Sequence, residues 1–68
     1  MLTIDPFRYY RRRQRLMREA LDEAHYLRRR HGDHALMAAN MKARSPDLTR
    51  WGRRVVEQAV RILQKEAH

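Results

Sequence analysis

The chain lacks cysteine, and it has only two glycines, two prolines and one tryptophan among its 68 residues. Without cysteine, neither a disulfide nor a thiolate metal site can stabilise the fold. With so little glycine and proline, no flexible linker divides the chain, and its length suits one domain, residues 1–68. No run approaches the roughly eighteen apolar residues of a membrane-spanning helix, and the first residues lack the apolar segment of a secretory signal. We therefore expect a cytoplasmic protein with no membrane span.

Acidic residues are also scarce: 8 stand against 16 lysines and arginines, which gives a net charge of +8. Such a charge favours polyanions, an anionic membrane surface or an acidic protein as partners. A chain this short buries only about 60% of its unfolded surface, so its core supplies little stability. Either the helices pack efficiently or a partner, such as a second copy in a homodimer, adds buried area.

Two proline junctions and one glycine divide the chain into three predicted helices, over residues 6–30, 34–44 and 46–66. Asp5-Pro6 and Ser45-Pro46 each place a capping side chain before a proline that suits the first helical position. Gly32 can adopt the left-handed conformation that ends a helix, and Asp33 can cap the next one. No segment has the period of a strand. The sequence therefore predicts an all-α fold, a small three-helix bundle (long–short–long) that self-associates.

Helical periodicity predicts which residues form the core. The third helix has the strongest apolar stripe, made of Leu48, Trp51, Gly52, Val55, Val56, Ala59, Val60, Ile62, Leu63 and Ala67. The stripe of the first helix is weaker and comprises Tyr10, Met17, Ala20, Leu21, Ala24 and Leu27. The short helix offers Leu36, Ala39 and Ala43, while Met37 and Met41 point to a neighbouring side. These two methionines are the candidate partner interface.

Residues around the glycine junction and the tryptophan carry a resemblance to a known group of proteins. The pattern His31-Gly32-Asp33-x-Ala35, followed by Ala39 and by Trp51-x-x-x-Val55, resembles one in short uncharacterised helical proteins of bacteria. The resemblance covers roughly residues 20–63 and implies a helical fold. It brings no activity, cofactor or catalytic residue.

The most informative stretch for function is residues 7–18, which contain six arginines and no acidic residue. Five of the arginines share one helical face, opposite Tyr10 and Met17: Arg8, Arg11, Arg12, Arg15 and Arg18. Like charges three or four residues apart cost about 0.2–0.5 kcal/mol per pair, so this face destabilises the helix. A local rule broken without structural gain indicates a functional surface. We predict that this face binds nucleic-acid phosphates, extended by Arg50, Arg54, Arg61 and Lys65.

Several alternatives remain beside nucleic-acid binding. One alternative is that the arginines form only a solvated basic face. Another is that the chain is a protein–protein interaction module that binds a second copy or an acidic partner. The second and third helices also match a helix-turn-helix, with Thr49, Arg50, Arg53, Arg54 and Glu57 toward the major groove. An anionic membrane surface ranks below nucleic acid, because the apolar stripe of the first helix is thin.

Catalytic and metal-binding chemistry has little support in this sequence. The histidines at 25, 31 and 34 lack a spacing that fixes metal geometry, so we predict no metal site. Ser45 is better used as a cap, and Glu19, Asp22 and Glu23 look like salt-bridge partners within the first helix. We therefore predict a protein that is not an enzyme and takes no cofactor and no small-molecule substrate.

Overall fold

The computed structural model describes residues 6–66, and all regular structure in that range is helical. Helix α1 spans Pro6–His31, a 3-10 turn spans Gly32–His34, helix α2 spans Ala35–Ala43 and helix α3 spans Arg50–Glu66. The all-α prediction is therefore confirmed. Helical backbone continues from α1 through the turn into α2, so the described chain has two uninterrupted helical segments. The predicted cap at Asp5 and the predicted core residue Ala67 lie outside the described residues.

The junction between α1 and α2 confirms one predicted role and corrects another. Gly32 has a φ of +57°, the left-handed conformation predicted to end α1. The predicted cap at Asp33 is wrong, because neither the 3-10 turn nor α2 has a side-chain cap hydrogen bond. The chain stays helical through the turn, and the N–H of Ala35 donates a hydrogen bond to the carbonyl oxygen of Gly32. α2 consequently begins at Ala35 and not at His34.

Helix α3 begins later than predicted, at Arg50 instead of Pro46. The capping residue is Thr49, whose Oγ1 accepts a hydrogen bond from the N–H of Gly52 at 2.9 Å. The hydroxyl of Ser45, the predicted cap, accepts instead from the N–H of Asp47, at 3.3 Å, within the preceding turn. The carbonyl oxygen of Thr49 accepts the first helical hydrogen bond, from the N–H of Arg53 at 2.9 Å. Of the two start signals in the sequence, Ser45-Pro46 and Thr49, the second therefore begins the helix.

Small side chains form most of the core. The buried residues are Ala20, Ala24, Leu27, Ala35, Ala39, Val55, Val56, Ala59 and Leu63. The four from α3 confirm the predicted stripe of that helix. In α2, Ala39 is buried as predicted, Ala35 joins it, and Leu36 and Ala43 are only half-buried. Alanine at most contact points allows the helix axes to approach closely.

The predicted stripe of α1 is partly wrong. Ala20, Ala24 and Leu27 are buried, but Tyr10, Met17 and Leu21 are exposed. The inner line of α1 follows Leu16, Ala20, Ala24 and Leu27, spaced by four, four and three residues. Because a helix turns about 100° per residue, Met17 and Leu21 lie at one flank of this line. The alanines take the contact positions, where the helices approach most closely.

Three polar links fix the directions of the helices. The indole of Trp51, at the start of α3, binds Glu19 of α1, and Glu66, at the end of α3, pairs with Arg28 of α1. α3 therefore runs parallel to α1. Lys42, at the end of α2, pairs with Glu23 of α1, so α2 runs antiparallel to both.

Replacing Thr49 by alanine should lower the free energy of unfolding by about 1 kcal/mol, because the N–H of Gly52 loses its acceptor. Ser45→Ala is the matched control, and its weak exposed bond should cost about 0.5 kcal/mol or less. Urea denaturation followed by far-UV circular dichroism measures both. A larger loss for Ser45→Ala would contradict the assignment of Thr49 as the cap.

Candidate nucleic-acid interface

Trp51, in the first turn of α3, contacts the arginine-rich half of α1 through a hydrogen bond and two cation–π contacts. Its Nε1 donates a hydrogen bond to Oε2 of Glu19 at 2.5 Å. The guanidinium carbons of Arg12 and Arg15 lie 5.9 and 5.6 Å from the centre of the indole ring. Both distances suit cation–π attraction. Arg15 Nε also lies 3.8 Å from Glu19 Oε2, so one carboxylate orients both the indole and a guanidinium.

A concavity of about 500 Å³, here called the basic groove, lies between α1 and α3. It is lined by Tyr9, Arg12, Arg13, Leu16, Met17, Trp51, Arg54, Gln58, Arg61 and Lys65. Five of these residues are cationic and none is acidic. Within residues 6–66, Arg13, Arg54, Arg61 and Lys65 make no ion pair with a carboxylate. The basic groove therefore concentrates positive charge that the fold itself does not neutralise.

A second concavity, of about 380 Å³, adjoins the basic groove and shares two residues with it. It is lined by Arg11, Arg12, Arg15 and Trp51. Arg12 and Trp51 belong to both concavities. The arginine-rich half of α1 thus continues the positive surface of the basic groove around the tryptophan.

The structure brings most of the predicted phosphate-binding residues into these two concavities. Arg12, Arg54, Arg61 and Lys65 line the basic groove, and Arg11, Arg12 and Arg15 line the adjoining one. Three predicted residues are exposed but line neither concavity: Arg8, Arg18 and Arg50.

One cation of the basic groove, Arg13, is not among the predicted phosphate-binding residues. Arg13 lies seven residues before Ala20, which is fully buried. Seven residues make nearly two helical turns, so both residues lie on the same face of α1. Had the stripe been centred on the alanines, this spacing would have placed Arg13 at the mouth of the α1–α3 contact.

The carboxylates of α1 do not line the basic groove. Glu19, Asp22 and Glu23 line another concavity of about 480 Å³, next to Lys42, and this concavity shares Trp51 with the basic groove. The predicted salt bridge within α1 is present for Glu19, with Arg15. For the other two it is wrong, because Asp22 makes no ion pair within residues 6–66 and Glu23 pairs with Lys42 of α2. Glu19 and Glu23 therefore link α3 and α2 to α1, and neither makes an ion pair with an arginine of the basic groove.

Two residues of the helix-turn-helix alternative have roles inside the fold. The Thr49 hydroxyl caps α3, and the Arg53 guanidinium donates to the carbonyl oxygens of Ala43 and Ser45, at 2.5 and 3.0 Å. A side chain held in this way cannot also reach a base edge. The helix-turn-helix alternative therefore loses two of its predicted base contacts.

The candidate partner residues Met37 and Met41 are both exposed on α2, at 62% and 68% of their maximum. In residues 6–66, no three histidine or carboxylate side chains are grouped so as to hold a metal ion. Over the same range, no helix combines the length and apolar character needed to cross a bilayer.

Comparisons with protein-family models, with curated proteins and with solved structures gave no match. The resemblance to short helical proteins of bacteria therefore stays a prediction.

Replacing Trp51 by phenylalanine should lower the free energy of unfolding by about 1–3 kcal/mol, because Glu19 loses its donor and the smaller ring packs less well. In a cycle with Glu19→Leu, which removes the acceptor, the double variant should lose less than the sum of the single losses, by about 1 kcal/mol. Tyr10→Phe is the control, since it removes only an exposed bond to Gln14 and should change stability by about 0.5 kcal/mol or less. Chemical denaturation measures all four variants, and strict additivity would mean that the Trp51–Glu19 bond contributes nothing.

Proposed function

We propose that this protein is a non-enzymatic nucleic-acid-binding protein that contacts the phosphate backbone through the basic groove, without strong sequence preference. The observation that carries the proposal is the groove lining, which contains five cationic side chains and no carboxylate. Phosphates are the ligands that reverse the mutual repulsion of such a cluster, because their binding releases condensed counterions.

The dimensions of the groove suit several phosphates. Arg54, Arg61 and Lys65 follow one face of α3, and eleven residues of helix span about 16 Å. One strand of B-form DNA has a phosphate about every 3.4 Å along its axis, but the strand also winds around that axis, so only some of the roughly five phosphates in that length can face a straight groove. Arg12 and Arg13 supply the opposite wall from α1. The five cations of the two walls can therefore contact several phosphates, on one strand or on both strands of a duplex.

Aromatic side chains add a second type of contact. Tyr9 lines the groove and is 67% exposed, so its ring is accessible to a base or a ribose. Stacking of a base on an aromatic ring is tolerant of sequence because every base has a π face. Tyr9 together with the groove cations is the combination that single-stranded nucleic acid uses.

The scaffold that we propose for this site is the small three-helix bundle, long–short–long, in one domain. Contacts among all three helices support it, since α1 packs on both α2 and α3, and α2 packs on α3. We also propose a bacterial cytoplasmic setting, which follows from the resemblance and from the sequence alone.

The test compares two variants that lose the same charge at different places. The groove variant carries Arg13→Gln, Arg54→Gln and Arg61→Gln, and the control variant carries Arg29→Gln, Arg30→Gln and Arg44→Gln, all outside the groove. Fluorescence anisotropy of a labelled duplex and a labelled single strand is measured across a series of salt concentrations. Wild-type protein should give a log–log slope that corresponds to about four or more phosphates.

The groove variant should lose about two to three units of that slope, because each phosphate contact contributes about 0.7–0.9. The control variant should keep the wild-type slope within about one unit. Equal losses in the two variants, or wild-type binding that vanishes near physiological salt, would show that the +8 charge acts only generically.

A further inference from the structure

A separate, largely apolar groove lies between the last turns of α1 and the outer side of α2. Its floor is formed by Tyr26, Leu27, Ala38 and Met41, and its volume is about 340 Å³. Arg30 and Lys42 stand at its rim. None of its lining residues belongs to the basic groove. We call it the methionine groove.

The methionine groove exposes large apolar side chains that the core does not use. Met41 is 68% exposed and Tyr26 is 46% exposed, and Met37, one turn before Met41, is 62% exposed. In contrast, five of the nine buried core residues are alanines. Large apolar side chains that border a concave surface are typical of partner-binding sites, and flexible methionines adapt readily to a partner helix.

The charge around the methionine groove selects the partner. No carboxylate lines it, and the last turn of α1 is entirely basic: Arg28, Arg29, Arg30 and His31. Arg30 has no ion-pair partner among residues 6–66, whereas Lys42 pairs with Glu23 and lies 5.8 Å over the Tyr26 ring. A second copy docked through the same surface would bring two such cationic rims together, on chains that each carry +8. Charge complementarity therefore favours an acidic partner over a second copy.

We propose that the methionine groove binds an acidic amphipathic helix of another protein, which lays its apolar face on Met37, Met41 and Tyr26. This is helix-in-groove recognition, in which apolar anchors at helical spacing supply the contact and rim charges set the orientation. α2 has nine residues and is therefore about 14 Å long, so it contacts about two and a half turns of the partner. The carboxylates of the partner helix then lie beside Arg30.

The probe is a synthetic helix of about twenty residues with leucine along one face and glutamate on the other surfaces. A second peptide has the same composition with the leucines scrambled off the face. Calorimetric titration of the intact protein with each peptide measures affinity. The amphipathic peptide should bind at least about tenfold more tightly than the scrambled one, and equal affinities would overturn the proposal.

Paired substitutions separate apolar contact from charge. Met41→Glu and Met41→Lys should both weaken binding about tenfold or more, because both remove the apolar anchor. Leu21→Lys, at an exposed apolar residue that lines neither the methionine groove nor the basic groove, is the control and should leave affinity unchanged. If Met41→Lys binds the acidic peptide as tightly as the wild type does, the attraction is only electrostatic and the site is refuted.

The rim charge is tested with two neighbouring arginines. Arg30→Gln should weaken binding and reduce its salt dependence more than Arg29→Gln, since Arg30 lines the methionine groove and Arg29 does not.

Sedimentation equilibrium tests whether a second copy of the chain occupies the methionine groove instead. A monomer that binds the peptide supports the proposal, whereas a dimer that Met41→Lys dissociates would show that a second copy occupies this surface. Nucleic-acid binding should be unaffected by the Met41 variants, so the two proposed sites can fail independently.

Discussion

Two carboxylates one turn apart on α1, those of Glu19 and Glu23, link both other helices to it. Glu19 accepts from the Trp51 indole of α3, and Glu23 pairs with Lys42 of α2. Polar links of this kind fix the register of helices whose apolar contacts are small and alike. Among the described residues, Arg15 and Arg28 are the arginines that pair with a carboxylate, and the others have no such partner. The positive surface therefore follows from the excess of basic over acidic residues, which these few pairs do little to neutralise.

Alanine-rich packing has a second consequence. Ala20, Ala24, Ala35, Ala39 and Ala59 occupy the closest helix contacts, and the larger Tyr10, Met17, Met37 and Met41 lie outside them. Each alanine buries little apolar area, so the core gains stability through close approach more than through area. The large apolar side chains are left at the surface, where Met17 lines the basic groove and Met41 lines the methionine groove. The same choice of small residues for the core therefore leaves large apolar side chains exposed at the surface.

Local chemistry in the sequence was enough to predict some features of the fold. Gly32 was identifiable because few other residues adopt a positive φ, and the stripe of α3 was identifiable because valine and leucine recur at helical spacing. The start of α3 could not be identified in this way, because Ser45-Pro46 and Thr49 are both valid start signals. The tertiary contacts of Arg53 with the backbone of Ala43 and Ser45 accompany the later start and are not visible in the sequence. The buried face of α1 is also not the one that its large residues predict. Tyr10 and Met17 lie outside the core, and the face that carries Ala20 and Ala24 is buried against the other helices.

The candidate site was predictable to a similar degree. The cluster of arginines in residues 7–18 identified the charged part of α1. Which of these arginines face α3 depends on the rotation of α1 about its axis, and that rotation places Arg13 in the basic groove. Likewise, Met37 and Met41 were identifiable as unused apolar residues of α2. The aromatic floor at Tyr26 and the cation at Arg30 required knowledge of how α2 lies on α1.

The parallel direction of α1 and α3 gives the molecule an electrical polarity. Each helix carries a partial positive charge at its N-terminus, and neither α1 nor α3 has an acidic residue in its first turn to offset it. Both positive ends point toward the arginine-rich end of the molecule, where Trp51 meets Arg12 and Arg15. The backbone dipoles of these two helices thus add to the side-chain charges, and the shorter, antiparallel α2 opposes them only in part. In the field of an approaching polyanion, the protein is turned so that this end arrives first.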